Sequence, residues 1–268
     1  MSDAGSDPDA DSRDDYARLR DTGDWVPPGL ATVTVAGPDA GSYLQGQLSQ
    51  DVAGLAVGAG GWSLLLEPSG KLGSWVHVRR AADDRFVLGV EAVAVESVLA
   101  RLHRFKLRTD ATITSTDVEP GTAGPAFDDD AARIEAGVPR AGAEITDDVI
   151  PAELGQWLID RSVSFTKGCY TGQELVARID SRGGNVPRQL RGLLVVGDQV
   201  PAVGAEIVVD GTVVGTVTSA AHSGRLAAPV ALGFVKRAIE PPAAAVVTWD
   251  GGSVAAEIRA LPLLAGPS

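Results

Sequence analysis

The chain has 268 residues, of which 44% are hydrophobic, and a formal net charge of −12 at pH 7. This length allows one large domain or two to three packed subdomains around a sizeable core, and the composition is that of a soluble globular protein without an apolar run long enough to span a membrane. A single cysteine excludes an internal disulfide and any all-protein site of four cysteines for zinc or an iron–sulfur cluster, and the acidic balance disfavours extended contact with a nucleic-acid backbone.

Residues 1–24 are acidic and poor in apolar side chains, so they are expected to form a disordered tail. The segment has neither the apolar core of a secretory signal nor the arginine-rich pattern of a transit peptide, which points to the cytoplasm. Residues 30–36 (LATVTVA) alternate as a strand. The stretch GPDAGSYLQGQLSQDV, 37–52, predicts a helix with Tyr43, Leu44, Leu48 and Val52 on one stripe. Short strands are expected at 62–67, 74–80 and 85–90. A helix follows over 92–105, with Val95, Val98, Leu99, Leu102 and Phe105 inward. From 106 the period switches to two, with Leu107, Thr109, Ala111 and Ile113 on one face. This mixed order predicts an α+β fold.

Residues 119–130 (EPGTAGPAFDDD) read as a surface loop or hinge, and AARIEAG as a short helix stopped at Gly137. From about 190 the chain is β-rich, with hairpin signals at Asp210-Gly211 and Asp250-Gly251. The expected organisation is a tail at 1–24, an N-terminal α+β subdomain at 25–118, a central subdomain at 119–189 and a C-terminal β-barrel at 190–268. No internal repeat is evident.

The lone thiol lies in SFTKGCYTGQE, 164–174. SVSF predicts a strand and TGQELVARIDSRGG a helix. Thr171 and Glu174 match a T-x-x-E capping box, with Tyr170 and Leu175 as the hydrophobic staple. Cys169 then precedes a helix N-terminus with Lys167 close by, and both favour a thiolate. The opposing reading is a small buried apolar residue beside a folding device. His77, His103 and His222 are scattered, with no metal-ligand spacing, and none lies near Cys169 to act as a base, so a thiol protease or acyltransferase is a poor fit.

KGCYTGQE at 167–174, followed by LVAR at 175–178, resembles the signature of the YgfZ-type folate-binding proteins, relatives of the glycine-cleavage T protein. The likeness continues in order through 37–52, LLLEPSGKLGSWVHVRR at 64–80, RFKLRTDATIT at 104–114, 133–155 and 214–237. It covers nearly everything after residue 25. The resemblance implies a pseudo-symmetric T-protein-like body around a central folate-sized cavity, with a C-terminal β-barrel. It implies a tetrahydrofolate or derivative as cofactor, and a role in assembly or repair of iron–sulfur enzymes, including those of tRNA thiomethylation, with those client proteins as partners. No metal site, no membrane and no RNA partner are expected.

Cys169 and Lys167 are carried over as the reactive pair, and Tyr170, Gly172, Gln173, Glu174 and Arg178 as folate contacts. Glu174 or Gln173 suits a pterin's donor-rich edge, Tyr170 its ring, and Arg178 or Lys167 the glutamyl carboxylates. Gln45, Gln47 and Trp75 are further candidates for the cavity wall, although Trp75 equally fits a half-buried strand. The T protein carries an aspartate pair just after its equivalent glycine turn. Here those positions are Ser74 and Trp75, which weakens the alternative of a folate-dependent aminomethyl- or methyltransferase. A further alternative is a non-catalytic scaffold or RNA-binding protein; Arg101, Arg104, Lys106 and Arg108 suit RNA or the polyglutamate tail of a folate, and equally a solvated face. The remaining signals are weak. Gly46 hints at a close backbone approach, His222 reads as a surface residue, and EPSGK is too short for a phosphate loop.

Overall fold

The computed structural model describes residues 8–116 and 129–264. These divide into two compact units. One holds Val26 through the strand that ends at Thr116, together with Arg140–Asn185. The other holds the N-terminal helix, Asp129–Pro139 and Val186 onward. The sequence places a boundary at residue 119 and a central subdomain beyond it. The chain instead returns to the first unit at Arg140 and leaves only a short helix with the barrel.

The first unit is built on a five-stranded antiparallel sheet, in the order β2-β3-β4-β1-β5. Its strands are β1 (Ala31–Ala36), β2 (Gly60–Leu66), β3 (Leu72–Ala82), β4 (Arg85–Val90) and β5 (Thr112–Thr116). The alternation read in β1 is the observed one, with Ala31, Val33 and Val35 buried. Two helices, α2 (Ala40–Gln47) and α3 (Val95–Arg104), cover one face. Tyr43, Leu44 and Leu48 there share a core with Val76, Val78, Val98 and Leu102. The Tyr43 hydroxyl donates to the carbonyl of Leu102 at 2.5 Å, which gives the one polar atom of a buried ring its partner.

Side chains on a strand alternate between faces, so Trp62, Leu64, Trp75 and His77 occupy the opposite side of β2 and β3. Trp62 and Trp75 stack at 4.1 Å. Trp157, on the short helix α5 (Gln156–Ser162), meets Trp75 edge-on at 5.9 Å.

Two sequence expectations differ here. Residues 107–111 are not strand: Leu107 is 78% exposed and Arg108 has φ 52°, which breaks the extended run before β5 begins at Thr112. SVSF is not strand either. Ser162 ends α5, and Phe165 is half exposed with no ladder partner to hold it. The expected loop at 119–130 lies outside the described residues except for its end. There Asp129 accepts from the amide of Ala132 at 2.9 Å and caps α4 (Asp130–Ala136).

The second unit is a closed barrel in the order β10-β11-β6-β9-β8-β7. Its strands are β6 (Arg188–Val195), β7 (Glu206–Val209), β8 (Thr212–Ser223), β9 (Ala228–Lys236), β10 (Ala243–Trp249) and β11 (Gly252–Arg259). The Asp-Gly signals are both two-residue hairpin turns: Val209 pairs with Thr212 across one, and Trp249 with Gly252 across the other. Helix α4 ends, as its sequence indicates, at Gly137 in the left-handed region with φ 69°.

Residues 8–21 differ from the disordered tail read in the sequence: Pro8–Asp21 form a helix, α1. Its polar composition hides two large side chains, Tyr16 at 1% and Leu19 at 0% exposure. Arg20 supplies a tether by donating to the carbonyls of Ala136 at 3.0 Å and Leu261 at 3.1 Å. A few well-placed contacts offset the ordering entropy that average composition alone would leave unopposed. Leu19→Ala is therefore expected to destabilise the barrel unit by about 2–4 kcal/mol, as for other fully buried leucines. Urea unfolding monitored through a barrel probe measures this, and an unchanged midpoint would show that α1 does not pack.

Candidate functional site

The site is built on the turn between β2 and β3. The Glu67 amide donates to the Lys71 carbonyl at 2.9 Å, and the Gly70 amide to the Glu67 carbonyl at 2.8 Å. Arg101, from α3, fastens this turn from below. Its guanidinium donates to the Leu66 carbonyl at 3.1 and 2.7 Å and to Oε1 of Gln47 at 3.0 Å, and lies 3.6 Å from the Glu67 carboxylate. Arg101 is only 5% exposed, so it leaves the basic run proposed for RNA or polyglutamate. Burial lowers its pKa, with Glu67 and Tyr43 opposing, as expected of a cation held inside by hydrogen bonds.

Against this turn sits the signature segment. Gly172 has φ 82° and Gly70 has φ 82°. A side chain on Gly172 would come within 2.6 Å of the Glu67 carbonyl oxygen and 2.7 Å of the Leu66 Cβ; one on Gly70 would collide with Leu175. Glycine is therefore needed at both places, at Gly172 against the backbone and Leu66 of the turn and at Gly70 against Leu175. Gly168 is different, with nothing within 4 Å of the place a Cβ would take.

The same geometry overturns the expected capping box. Helix α6 (Gln173–Asp180) is preceded by Gly172 in a left-handed conformation, with no side-chain cap. Thr171 turns the other way, and its amide and hydroxyl both reach the Gly46 carbonyl, at 3.0 and 3.4 Å. Gly46 itself has open space at its Cβ position, so the close approach read from it concerns its carbonyl alone.

Lys167 is half-buried, and its ammonium donates to the carbonyls of Gln45 at 2.7 Å, Leu48 at 2.6 Å and Gln50 at 2.8 Å. An ammonium has three donors, so none is left for the thiolate that the sequence reading placed beside it. Burial draws its pKa down to about 8, with Asp51 acting in the opposite direction. Its charge also lies 5.2 Å from the centre of the Tyr170 ring. Cys169 is exposed.

The other sequence candidates divide into two groups. Gln45 donates to Asp51 at 2.9 Å and accepts from the amides of Val52 and Ala53, so it serves the loop after α2. Gln47 accepts from Arg101. Gln173 accepts from the Tyr170 amide at 3.2 Å. Trp75 is 5% exposed and donates to Ser162 at 2.9 Å, and Tyr170 is buried at 9%. Glu174 and Arg178, in contrast, are exposed, and one helical turn apart on α6 they share a face. The structure thus brings Cys169, Lys167, Tyr170, Gly172 and Gln173 together on one turn. It uses Gln45, Gln47 and Trp75 in internal bonds. Arg101, Gly70 and Asp51 are site residues that sequence reasoning missed; a buried arginine on a helix face in a basic run carries no signal that distinguishes it from its solvated neighbours. Among the described residues no cluster of three or more His, Cys, Asp or Glu is arranged to hold a metal, and no helix is long and apolar enough to cross a membrane.

An antiparallel α+β unit carrying a signature turn, followed in the chain by a closed six-stranded barrel, is the fold of the glycine-cleavage T protein. The solved aminomethyltransferase T of the glycine cleavage system from Bartonella henselae matches with a TM-score of 0.71 at 19% identity, over 89% of this chain and 85% of that one. Residues 188–264 match the glycine cleavage T-protein C-terminal barrel domain. An aminomethyltransferase from Streptomyces avermitilis is 31% identical over 242 residues, which are 87% of this chain and 59% of that protein. The tRNA-modifying protein YgfZ from Klebsiella pneumoniae is 27% identical over 248 residues, 69% of this chain and 73% of that protein. The chain is thus related both to the YgfZ-type proteins and to the glycine-cleavage T protein.

Two outcomes follow from this geometry. Gly172→Ala combines a left-handed φ with a backbone clash and is expected to cost roughly 2–4 kcal/mol, whereas Gly168→Ala is expected to stay within about 0.5 kcal/mol of the parent; paired urea titrations distinguish them, and equal effects would contradict the contact. The second concerns His77, whose ring meets Trp62 at 5.4 Å and whose pKa is lowered to about 4 by burial and then by Arg79. In the unfolded chain it protonates near 6.5, so stability is fully present above that pH and declines as pH falls towards 4, with a ceiling of about 3 kcal/mol for this group. Lowering the pH from 7 to 5 should lower the urea midpoint of the parent more than that of His77→Gln; parallel losses would remove His77 as the cause.

Proposed function

We propose that the protein is a cytoplasmic tetrahydrofolate-binding accessory factor for the assembly or repair of iron–sulfur enzymes, with Cys169 as its reactive centre. The observation that carries this reading is the exposed thiol on a turn whose two flanks are fixed. Gly172 closes against Gly70 on one side, and Lys167 grips the loop after α2 on the other. A buried structural cysteine needs no such exposure. The relatives named tRNA-modifying protein YgfZ support a role connected with tRNA modification, and the T-protein relatives support a folate.

The residues available to a folate are fewer than the signature suggests. Gln45, Gln47, Gln173 and Trp75 have polar atoms engaged within the chain, so pterin contacts from them require those bonds to exchange. Glu174 and Arg178 stand free of that demand. Arg178 suits a glutamyl carboxylate through charge-assisted hydrogen bonds, and Glu174 suits a donor-rich ring edge. The folate supplies a one-carbon-carrying pterin; the chain supplies orientation through these two side chains and the fixed turn.

The alternative, a folate-dependent aminomethyltransferase, draws on the Streptomyces relative, of which this chain spans 59%. Ser74 and Trp75 speak against it. Both are buried, and Trp75 is tied to Ser162, so no carboxylate lies on β3 at those positions.

Calorimetric titration with tetrahydrofolate tests the ligand directly. Binding is expected in the parent, with Arg178→Ala weakened by about 1.5–3 kcal/mol, the worth of a hydrogen bond to a charged group. No heat and no competition at high folate concentration would sink the ligand assignment. Cys169→Ala should bind folate as the parent does yet fail to restore iron–sulfur enzyme activity in a strain lacking the protein. Full restoration would make the thiol dispensable.

A further inference from the structure

We propose that Lys167 is a positioning residue for Cys169, its ammonium acting as an internal cation that latches the signature turn onto the loop after α2. The proposal rests on Cys169 being the reactive centre, and its geometry stands apart from any folate or client enzyme.

The last carbonyls of a helix lack intrahelical partners and carry its negative dipole end. At the end of α2 those groups are met by the signature segment. The Gln45 carbonyl takes Lys167, the Gly46 carbonyl takes the Thr171 amide, and the Leu48 and Gln50 carbonyls complete the ammonium's set. Three oxygens at 2.6–2.8 Å match the three N–H directions of one ammonium. A neutral side chain would leave three buried or half-buried acceptors without a donor, and the net loss exceeds that of a single neutral hydrogen bond. The carboxylate that bears on the ammonium is Asp51, held in the same loop by Gln45.

Cys169 has no comparable anchor of its own. Gly168 before it meets nothing within 4 Å of its Cβ position, so sterics do not hold the chain there. The thiol's place is set by what lies on either side: the Lys167 ammonium, and then the Tyr170 amide on Gln173 and the Thr171 amide on Gly46. Lys167 acts on Cys169 through the backbone and not through its charge.

Lys167→Met keeps the length of the side chain and removes all three donors, and two measurements on it separate position from charge. Amide hydrogen exchange in 45–52 and 168–172 is expected to rise roughly tenfold or more, the ratio for losing one hydrogen bond to a charged group, with the barrel amides unchanged. The pH midpoint of Cys169 alkylation by iodoacetamide is expected to stay at the parent's value. Unchanged exchange in those segments, or a midpoint that moves upward, overturns the proposal, because the latter is the signature of an ammonium stabilising the thiolate directly. Lys167→Ala with added ethylammonium should regain the lost protection, and no regain at saturating ethylammonium counts against an internal cation. Should neither variant fold, native-state exchange on the unaltered chain decides. The segments 45–52 and 168–172 then open as one unit with a common denaturant dependence, and independent opening overturns the latch. Neither readout involves folate or an iron–sulfur enzyme, so failure here is distinct from failure of the functional reading.

Discussion

The arrangement depends on one steric constraint: the signature segment packs so closely on the β2–β3 turn that Gly172, against Glu67 and Leu66, and Gly70, against Leu175, leave no room for a side chain. This contact joins the β2–β3 turn to the start of α6, two segments far apart in the chain. Because Gly172 must be left-handed to make it, α6 begins without a side-chain cap, and Thr171 is released to bond Gly46 instead. The backbone that follows from this choice carries Cys169 outward. Arg101 maintains the other half of the contact by holding Leu66 and Glu67, so a helix on the sheet's core face stabilises a turn at its edge.

A second consequence is the economy of polar groups around the signature. Gln45, Gln47, Lys167, Thr171 and Gln173 are residue types that suggest ligand contacts, yet each side chain makes at least one hydrogen bond within the protein. Buried and half-buried donors and acceptors need partners, and a turn that exposes a thiol without regular secondary structure has many to satisfy. A signature can therefore be dense in polar residues because its backbone is irregular, before any ligand is considered.

How much of this the sequence discloses can be judged residue by residue. The strands β1 to β4, the short helix stopped at Gly137 and the two Asp-Gly hairpins follow from local alternation and turn chemistry, and the structure has them. The capping box fails because T-x-x-E is a local rule, while Gly172 is left-handed and packed against Leu66 and Glu67 of the distant β2–β3 turn. The period-two run at 107–111 fails because one positive φ at Arg108 interrupts it. Helix α1 is hidden by composition, since Tyr16 and Leu19 are buried within an otherwise polar stretch. Lys167 is close to Cys169 in sequence, but one-dimensional proximity does not reveal that its ammonium points to the carbonyls of another segment.

The Trp75 environment bears on the choice between accessory and transferase chemistry. Its indole stacks on Trp62, meets Trp157 edge-on and donates to Ser162, while Ser74 beside it is buried on the opposite face of β3. A carboxylate introduced at either position would be desolvated without a built partner, a cost of several kcal/mol that shifts such a group towards its neutral form. The region is an aromatic packing layer and not a vacant acid site. On the reading proposed above, the chemistry then falls to exposed side chains, Cys169 with Glu174 and Arg178. An exposed thiol there is open to a large partner as well as to a small one, which is the access that reading requires.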